Sequence, residues 1–365
     1  MDRIIILAIV FSLISIFAYW SVFFYFFKRF GISPKNHYSN KPGVSVIVVY
    51  KNAEDLIVRT IKTILDQNYP YFEVLAIDDF STDQGPLQLL EIQDKRLILL
   101  NATDNKPGKK SALTEAILHS RYDILLFTDA DCTPASGHWI KSMRDTLLSD
   151  DKIDIVLGYG PMYRHTGLLN LFLRYETFIT AFQYFSYAAL KIPYMGVGRN
   201  MMYKKSLFLA QEGFTSHEKI SSGDDDLFIR NAANSFNTSV NLHPESFVWS
   251  EGKSTLRAYL QQKTRHVSTS LYYSHQHKLL LSLFAFSQVL FYLSWIGGII
   301  TGVISFNTAM IILLFKWSAQ MILQSGAMHK LDVSDLNKWF PLTDFMMLAY
   351  FLLLPFYSFF RKKDW

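Results

Sequence analysis

One cysteine, Cys132, stands in a chain of 365 residues. A lone thiol excludes an internal disulfide and any zinc cluster built on several cysteines. Charge is also scarce: 18% of residues are Asp, Glu, Lys or Arg, against 50% hydrophobic and 16% aromatic, which is apolar for a soluble enzyme. The formal net charge is only +5. No basic stripe with interleaved aromatics runs along the chain, so nucleic acid is not expected as a partner. The pattern Gly-x-Gly-x-x-Gly is missing after the first apolar strand, where Tyr50-Lys51-Asn52-Ala53 stands instead. A Rossmann-type dinucleotide site is therefore disfavoured. Residues 105–111 superficially resemble a phosphate-binding loop, but the upstream glycine it requires would fall at Thr103.

What the chain has in excess is long apolar runs at both ends. Residues 4–27 carry no charge and are long enough to cross a bilayer. The run is too long for the core of a signal peptide, and no small-residue cleavage site follows it. Lys28, Arg29, Lys35 and Lys41 come after it, against Arg3 alone before it, so the central region is expected in the cytoplasm. Apolar runs return at 279–304, at 309–323 around Lys316, and at 342–360. Three further spans would leave Arg361-Lys362-Lys363 outside, against the positive-inside tendency, which argues that one C-terminal segment is interfacial or re-entrant. The expectation is an integral protein of the cell or inner membrane, in contact with membrane lipids. Its parts would be an N-terminal helix (1–28), an α/β domain (43–274) and two to three C-terminal helices (279–360).

Within the central region, short apolar runs alternate with helical patterns. Strands are expected at 44–49, 72–77, 97–100, 124–128 and 153–157, and helices at 56–66, 87–92 and 109–118. That rhythm predicts a mostly parallel, doubly wound sheet. Ligands of such sheets bind at the C-terminal edge of the strands, and the acids gather there. Asp78-Asp79 follows the second strand, either capping a turn or accepting a hydrogen bond from a base or ribose. Asp129-Ala130-Asp131 closes the fourth, aiming carboxylates where a hard divalent cation would want them. Between these acids, Gly108-Lys109-Lys110 opens a helix whose N–H groups and lysine suit a diphosphate. Farther on, Gly196-Val197-Gly198-Arg199-Asn200 offers a tight loop, and Gly223-Asp224-Asp225-Asp226 precedes an apolar helix start. Some of those acids must cap the helix, but three in a row repel one another and raise pKa values, a cost better explained by a site. Gln262-Lys263-Thr264-Arg265-His266 stands just before the second apolar run.

Taken in order, these residues resemble the family 2 glycosyltransferases of the GT-A fold. The nearest branch is the membrane-bound one that includes synthases of cellulose, chitin and hyaluronan type. The resemblance covers residues 44–266 together with the terminal helices. It implies that Tyr50, Asp78, Asp79, Lys109, Asp129 and Arg265 contact a nucleotide-diphosphate sugar, with a UDP-sugar favoured. It implies that Asp131, with Asp129, binds Mg²⁺ or Mn²⁺, Asp131 being the firmer ligand. Asp224 matches the catalytic base, while Gly198, Asn200, Asp225, Asp226, Gln262 and His266 fall on the acceptor side. The implied reaction is hexosyl or N-acetylhexosaminyl transfer with inversion, to a lipid-linked or glycan acceptor at the cytoplasmic membrane face.

Two departures bear on the reading. The usual proline after the opening strand is absent, and His266 replaces the tryptophan that the resemblance places under the acceptor sugar. Imidazole offers less stacking area, which favours single transfer over a processive synthase. Asp129-Ala130-Asp131-Cys132-Thr133 also fits the nucleophile motif of haloacid-dehalogenase-like phosphatases. That motif follows the first core strand, however, and here three βα units come before it. The aromatic stretch 168–190 reads either as a core helix or as an interfacial helix that brings a lipid acceptor to the site.

Overall fold

A computed structural model of the chain describes residues 2–29, 41–103, 108–220 and 222–360. Lys35, the loop residues 105–107 and Arg361-Lys362-Lys363, which enter the sequence expectations, lie outside the described residues. The strands are β1 Val44–Tyr50, β2 Phe72–Asp78, β3 Leu97–Asn101, β4 Ile124–Asp129, β5 Cys132–Pro134, β6 Ile155–Leu157, β7 Met201–Lys204, β8 Thr238–Val240 and β9 Val248–Ser250. The first six helices are α1 Asp2–Arg29, α2 Ile57–Leu65, α3 Gly85–Leu90, α4 Lys109–His119, α5 Trp139–Leu147 and α6 Leu168–Ala189. The remainder are α7 Lys205–Ala210, α8 Asp226–Ala232, α9 Leu256–Ser270, α10 His275–Ile300, α11 Phe306–Lys330 and α12 Phe340–Phe360. Every element expected from the apolar rhythm forms within about two residues of its expected bounds.

Two compact units divide the chain: Phe30–Tyr163 with Gln183–Gly252, and Met1–Arg29 with Arg164–Phe182 and Lys253–Trp365. The first is an α/β unit whose main sheet runs β3-β2-β1-β4-β7-β6-β8. β1 and β2 are apolar on both faces, as strands covered from both sides must be, and Val44, Val46, Val48, Val74 and Ala76 are fully buried. β1 pairs in parallel with both β2 and β4, and β2 in parallel with β3. The sheet is not doubly wound throughout. β7 enters between β4 and β6 and runs antiparallel to both, so β6 does not extend the parallel series. The chain winds outward from β1 to β3 and then crosses back to β4 on the other side of β1. That reversal opens a crevice beyond the ends of β1 and β4. A small second sheet, β5 with antiparallel β9, follows directly after the acidic triplet.

The second unit is helical. Among the described residues, four helices are long and apolar enough to cross a membrane: Asp2–Lys28, His275–Ile300, Phe306–Lys330 and Ser334–Ser358. All three C-terminal runs therefore meet the length requirement. Ser274 and Ser305 cap α10 and α11, their hydroxyls accepting from His277 and Thr308 N–H. Inside this unit Lys316 donates to Asp344 at 2.6 Å, and Trp317 Nε1 and the Tyr292 hydroxyl donate to the same carboxylate. In α6, Phe172, Tyr175, Phe178, Phe182, Tyr184 and Phe185 are all buried, so these aromatics are core residues rather than a lipid-facing surface.

Candidate active site

The crevice is lined first by the ends of three adjacent strands, since Tyr50 pairs with Asp78 and Val49 with Asp129. Asp78 accepts from Ser81 N at 3.0 and 3.3 Å, closing the turn after β2. Asn52 ties that turn to the end of β1, receiving Thr82 N at 2.8 Å and donating its own N–H to Ser81 Oγ at 2.9 Å. Tyr50 is buried, and burial, with Asp78 and Asp83 nearby, keeps its phenol protonated. Asp79 points inward: it is 6% exposed, and its Oδ1 accepts from Gly108 N at 2.8 Å. It thereby fixes the start of α4, which carries Lys109 into the crevice.

Lys109 is the hub. Its ammonium lies 3.0 Å from Asp129 Oδ1 and 3.0 Å from Asp224 Oδ2. Burial would lower its pKa, but Asp129, Asp224 and Asp225 outweigh burial and hold it well above the usual lysine range. Asp224 shows the converse balance. Burial pushes its carboxyl up, and Lys109 more than reverses this, leaving it below the usual carboxylate range. A fixed, ionised carboxylate is thus set against a fixed ammonium.

The approach to Asp224 is anchored from beneath. Lys110 donates to the carbonyls of His217 and Ile220, both at 2.7 Å, and burial lowers its pKa. Gly223 has φ +96, and a Cβ there would run into Leu227 at 2.6 Å, so glycine is required for the chain to turn into Asp224. The three acids then part ways. Asp225 caps α8 by accepting Asp226 N at 2.8 Å, while its other oxygen accepts Gly198 N at 2.8 Å. Asp226 accepts Leu227 N at 2.8 Å and is buried. Burial, then Asp224 and Asp226, push Asp225 up to about 7. The expected mutual repulsion therefore falls on Asp225, while Lys109 protects Asp224 from it.

Asp129, Asp131 and Cys132 bring one ligand atom each within 4.8 Å of one another. Burial, then Asp129 and Asp131, raise the pKa of the Cys132 thiol, so it stays S–H and adds no ligand for a hard cation. What remains is carboxylate oxygen at a sheet edge, a donor set that fits Mg²⁺ or Mn²⁺. Lys109 engages Asp129 Oδ1, while the Cys132 thiol donates to Asp131 Oδ1 at 3.5 Å.

The expected acceptor loop divides. Gly198 lies in the crevice, where a Cβ would sit 3.4 Å from both Asp225 Oδ2 and Lys109 Nζ. Asn200 does not face it: the side chain is fully buried, donates to Tyr159 O and Ser246 O at 2.8 Å each, and accepts from Trp139 Nε1 at 3.0 Å. Its acceptor-side expectation is corrected to a structural one, because every polar position on the amide is occupied from within the fold. Gln262, Arg265 and His266 lie on α9 in the helical unit, with Arg265 and His266 exposed. Motif reading passed over Arg199, which donates to Ser250 Oγ at 3.0 Å, and Lys110. The tandem Lys109-Lys110 at a helix start was the available signal for the latter.

Residues 45–209 match the family described as Glycosyl transferase family 2. Over these residues the chain is similar to that family. A probable glycosyltransferase, YdaM of Bacillus subtilis, is 24% identical over 238 residues, which is 61% of this chain and 54% of that protein. The UDP-Glc:alpha-D-GlcNAc-diphosphoundecaprenol beta-1,3-glucosyltransferase WfgD of Escherichia coli is 33% identical over 133 residues, 36% of this chain and 50% of the relative. The chain thus spans about half the length of these curated relatives. Among solved structures, the mannosyltransferase PcManGT from Pyrobaculum calidifontis, in complex with GDP-Man and Mn²⁺, covers 99% of each chain with a TM-score of 0.63 at 18% identity. That likeness establishes the GT-A type of fold for the chain.

Proposed function

We propose that the chain is an inverting glycosyltransferase that takes its sugar from a nucleotide-diphosphate donor and passes it to a lipid-linked or glycan acceptor. The observation that carries this reading is the Lys109 ammonium held between Asp129 and Asp224 at the sheet's crevice. Asp131 and Asp129 would hold Mg²⁺ or Mn²⁺, which when bound supplies charge neutralisation at the leaving diphosphate. Lys109 adds a fixed positive charge on the same side. Asp224 takes the proton from the acceptor hydroxyl. That oxygen forms the new bond to the anomeric carbon as the bond to the diphosphate breaks on the opposite face, so an α-linked donor gives a β-glycoside. Asp224 ends protonated, and no second nucleophile is needed.

Asp78 and Asp79, with Tyr50, take the nucleoside end, and a UDP-sugar is the donor we favour. The UDP-glucose in WfgD's name and the GDP-mannose bound to PcManGT set the two arms of the test. Motif resemblance alone assigns Arg265 to the leaving group and Gln262 and His266 to the acceptor. The basic residues that close α1 and follow it support a cytoplasmic catalytic unit. Relatives named poly-beta-1,6-N-acetyl-D-glucosamine synthase make processive synthesis the second reading, against which His266 counts. The phosphatase reading is disfavoured, since the acidic triplet ends the fourth strand in chain order rather than the first.

The experiment is a panel of UDP- and GDP-sugars offered to membranes carrying the full chain, reading nucleotide diphosphate release and sugar transfer. One sugar should be turned over, chelation should stop it, and Asp224→Asn should lower it by about a hundredfold or more while donor binding persists. Release of inorganic phosphate without transfer, or a wild-type rate for Asp224→Asn, would overturn the reading.

A further inference from the structure

Arg199 is a charged side chain to which the reaction above gives no task. It stands between Gly198, which lines the crevice, and Asn200, which is sealed in the fold, just before β7. Its stem lies over Gly160. A Cβ there would meet Arg199 Nε at 2.3 Å, so a side chain at that position would push the arginine out of place. At its tip, Nη1 donates to Ser250 Oγ at 3.0 Å. Ser250 is paired with Cys132 across the small sheet, and both are buried on its inner face. The Cys132 thiol in turn lies 3.5 Å from Asp131 Oδ1. Directly opposed residues on one face of a strand pair are neighbours, so the guanidinium stands beside the acidic triplet. The charges agree with this placing: Arg199 acts on the Cys132 thiol together with Asp129 and Asp131, and opposes them.

No carboxylate matches that guanidinium. Lys109 is shared by Asp129 and Asp224, whereas among the described residues no acid forms an ion pair with Arg199. The side chain is half-buried, and its Nε is buried and makes no hydrogen bond. A charge drawn out of water without a partner is costly. Ser250 engages one N–H, which leaves donors of a planar fork that suits the oxygens of an anion. A cation held by Asp129 and Asp131 would repel the guanidinium unless an anion lay between them. β7 lies on the other side of β4 from β1 and β2, which carry Tyr50 and Asp78. Arg199 therefore stands beyond the proposed metal ligands and away from the nucleoside end.

We infer that Arg199 receives a phosphate group of a substrate beside the acidic triplet. Two sources carry that group, the diphosphate of the donor and a phosphate on a lipid-linked acceptor. The inference rests on the glycosyltransferase reading and adds to it a binding residue and the charge it selects. Arg199 binds and orients, and it takes no part in the proton transfer to Asp224.

The test measures binding by calorimetry to the full chain in detergent with Mn²⁺, for the wild type and for Arg199→Met, which removes the charge. The donor probes are UDP and GDP. The acceptor probe is farnesyl phosphate, with farnesol as its neutral comparator. The wild type should bind at least one of the phosphate-bearing probes. Arg199→Met should weaken that binding by about tenfold, as expected for loss of a charge-assisted pair, and leave farnesol within about twofold. A loss confined to UDP or GDP assigns the phosphate to the donor, and a loss confined to farnesyl phosphate assigns it to the acceptor. Arg199→Lys, which keeps the charge but not the fork, should recover part of the loss, and a general folding defect would not allow that. Should Arg199→Met not fold, Arg199→Gln, which keeps a donor for Ser250, takes its place. Unchanged affinity for every probe overturns the proposal, as does a loss of farnesol equal to that of farnesyl phosphate. So does a wild type that binds none of the phosphate-bearing probes. If UDP or GDP binds but no nucleotide sugar is consumed in the panel, the glycosyltransferase reading itself has failed, an outcome distinct from any of these.

Discussion

Lys109 Nζ lies 3.0 Å from Asp224 Oδ2, and this pairing sets the charge state of the proposed base. Burial drives Asp224 toward the neutral form, and Lys109 reverses it. Without the lysine, only a backbone hydrogen bond and Lys110 are left to oppose burial. Lys109→Met should therefore move the acid limb of the kcat–pH profile to higher pH, because the base would then be protonated over more of the acid range. It should also lower transfer at neutral pH by about a hundredfold, since a fixed charge facing the leaving group is lost. A pH–rate series on wild type and variant checks both, and an unmoved acid limb would show that Lys109 does not set the ionisation of the base.

Asp225 carries the cost of the acidic run. Its folded-state pKa, raised to about 7 by burial and its two neighbours, stands above the value of about 4 that the unfolded chain allows. The folded protein therefore keeps a proton that the unfolded chain releases. This contribution to stability is full below about pH 4 and is lost as pH rises through about 7. Asp225→Asn cannot ionise; it keeps one accepting oxygen for Gly198 N and gives up the one that accepts Asp226 N. Its melting temperature relative to the wild type should therefore rise by about 2–4 °C between about pH 5 and about pH 8. Parallel melting curves across that range would contradict the assignment.

Asn200 satisfies three partners inside the fold, and Asn200→Ala would orphan Trp139 Nε1 and two backbone carbonyls. Each buried group left unpaired costs about 1–3 kcal/mol, so a loss near ~3 kcal/mol is expected. Denaturant unfolding of the detergent-solubilised chain measures it, and a midpoint equal to that of the wild type would return Asn200 to the crevice.

Lys316 and Asp344 form a buried ion pair between α11 and α12. Removing one partner strands the other charge in an apolar setting, so Lys316→Met alone should destabilise by about 3–5 kcal/mol. The double variant Lys316→Met with Asp344→Leu should recover most of that loss, because no charge is left unpaired. Thermal aggregation after detergent extraction distinguishes the two, and equal damage in single and double variants would mean that the pair is not held by its charge.

The parallel strands were legible because each is a short, continuously apolar run bounded by turn residues, as strands covered on both faces must be. The antiparallel insertion of β7 was not, since Met201–Lys204 carries no mark of which strand it will join. Within the site, Asp129, Asp131 and Lys109 were legible from their places after β4 and at the start of α4. The separate fates of Asp224, Asp225 and Asp226 were not, because three identical side chains in a row differ only in what faces them.

By itself, then, the sequence determined the alternation of strands and helices, the long apolar runs at both ends, and the gathering of acids at the C-terminal edge of the sheet. These depend on local pattern, and local pattern is fixed by burial and by side-chain period. Tertiary structure alone decided that Asp79 turns inward to hold Gly108, that Asn200 is sealed within the fold, and that Lys109 stands between Asp129 and Asp224. It also set Trp249 opposite Thr133, more than a hundred residues away in the chain. Those outcomes depend on which distant groups meet, and in a buried crevice it is the meeting of charges that fixes which carboxylate stays ionised.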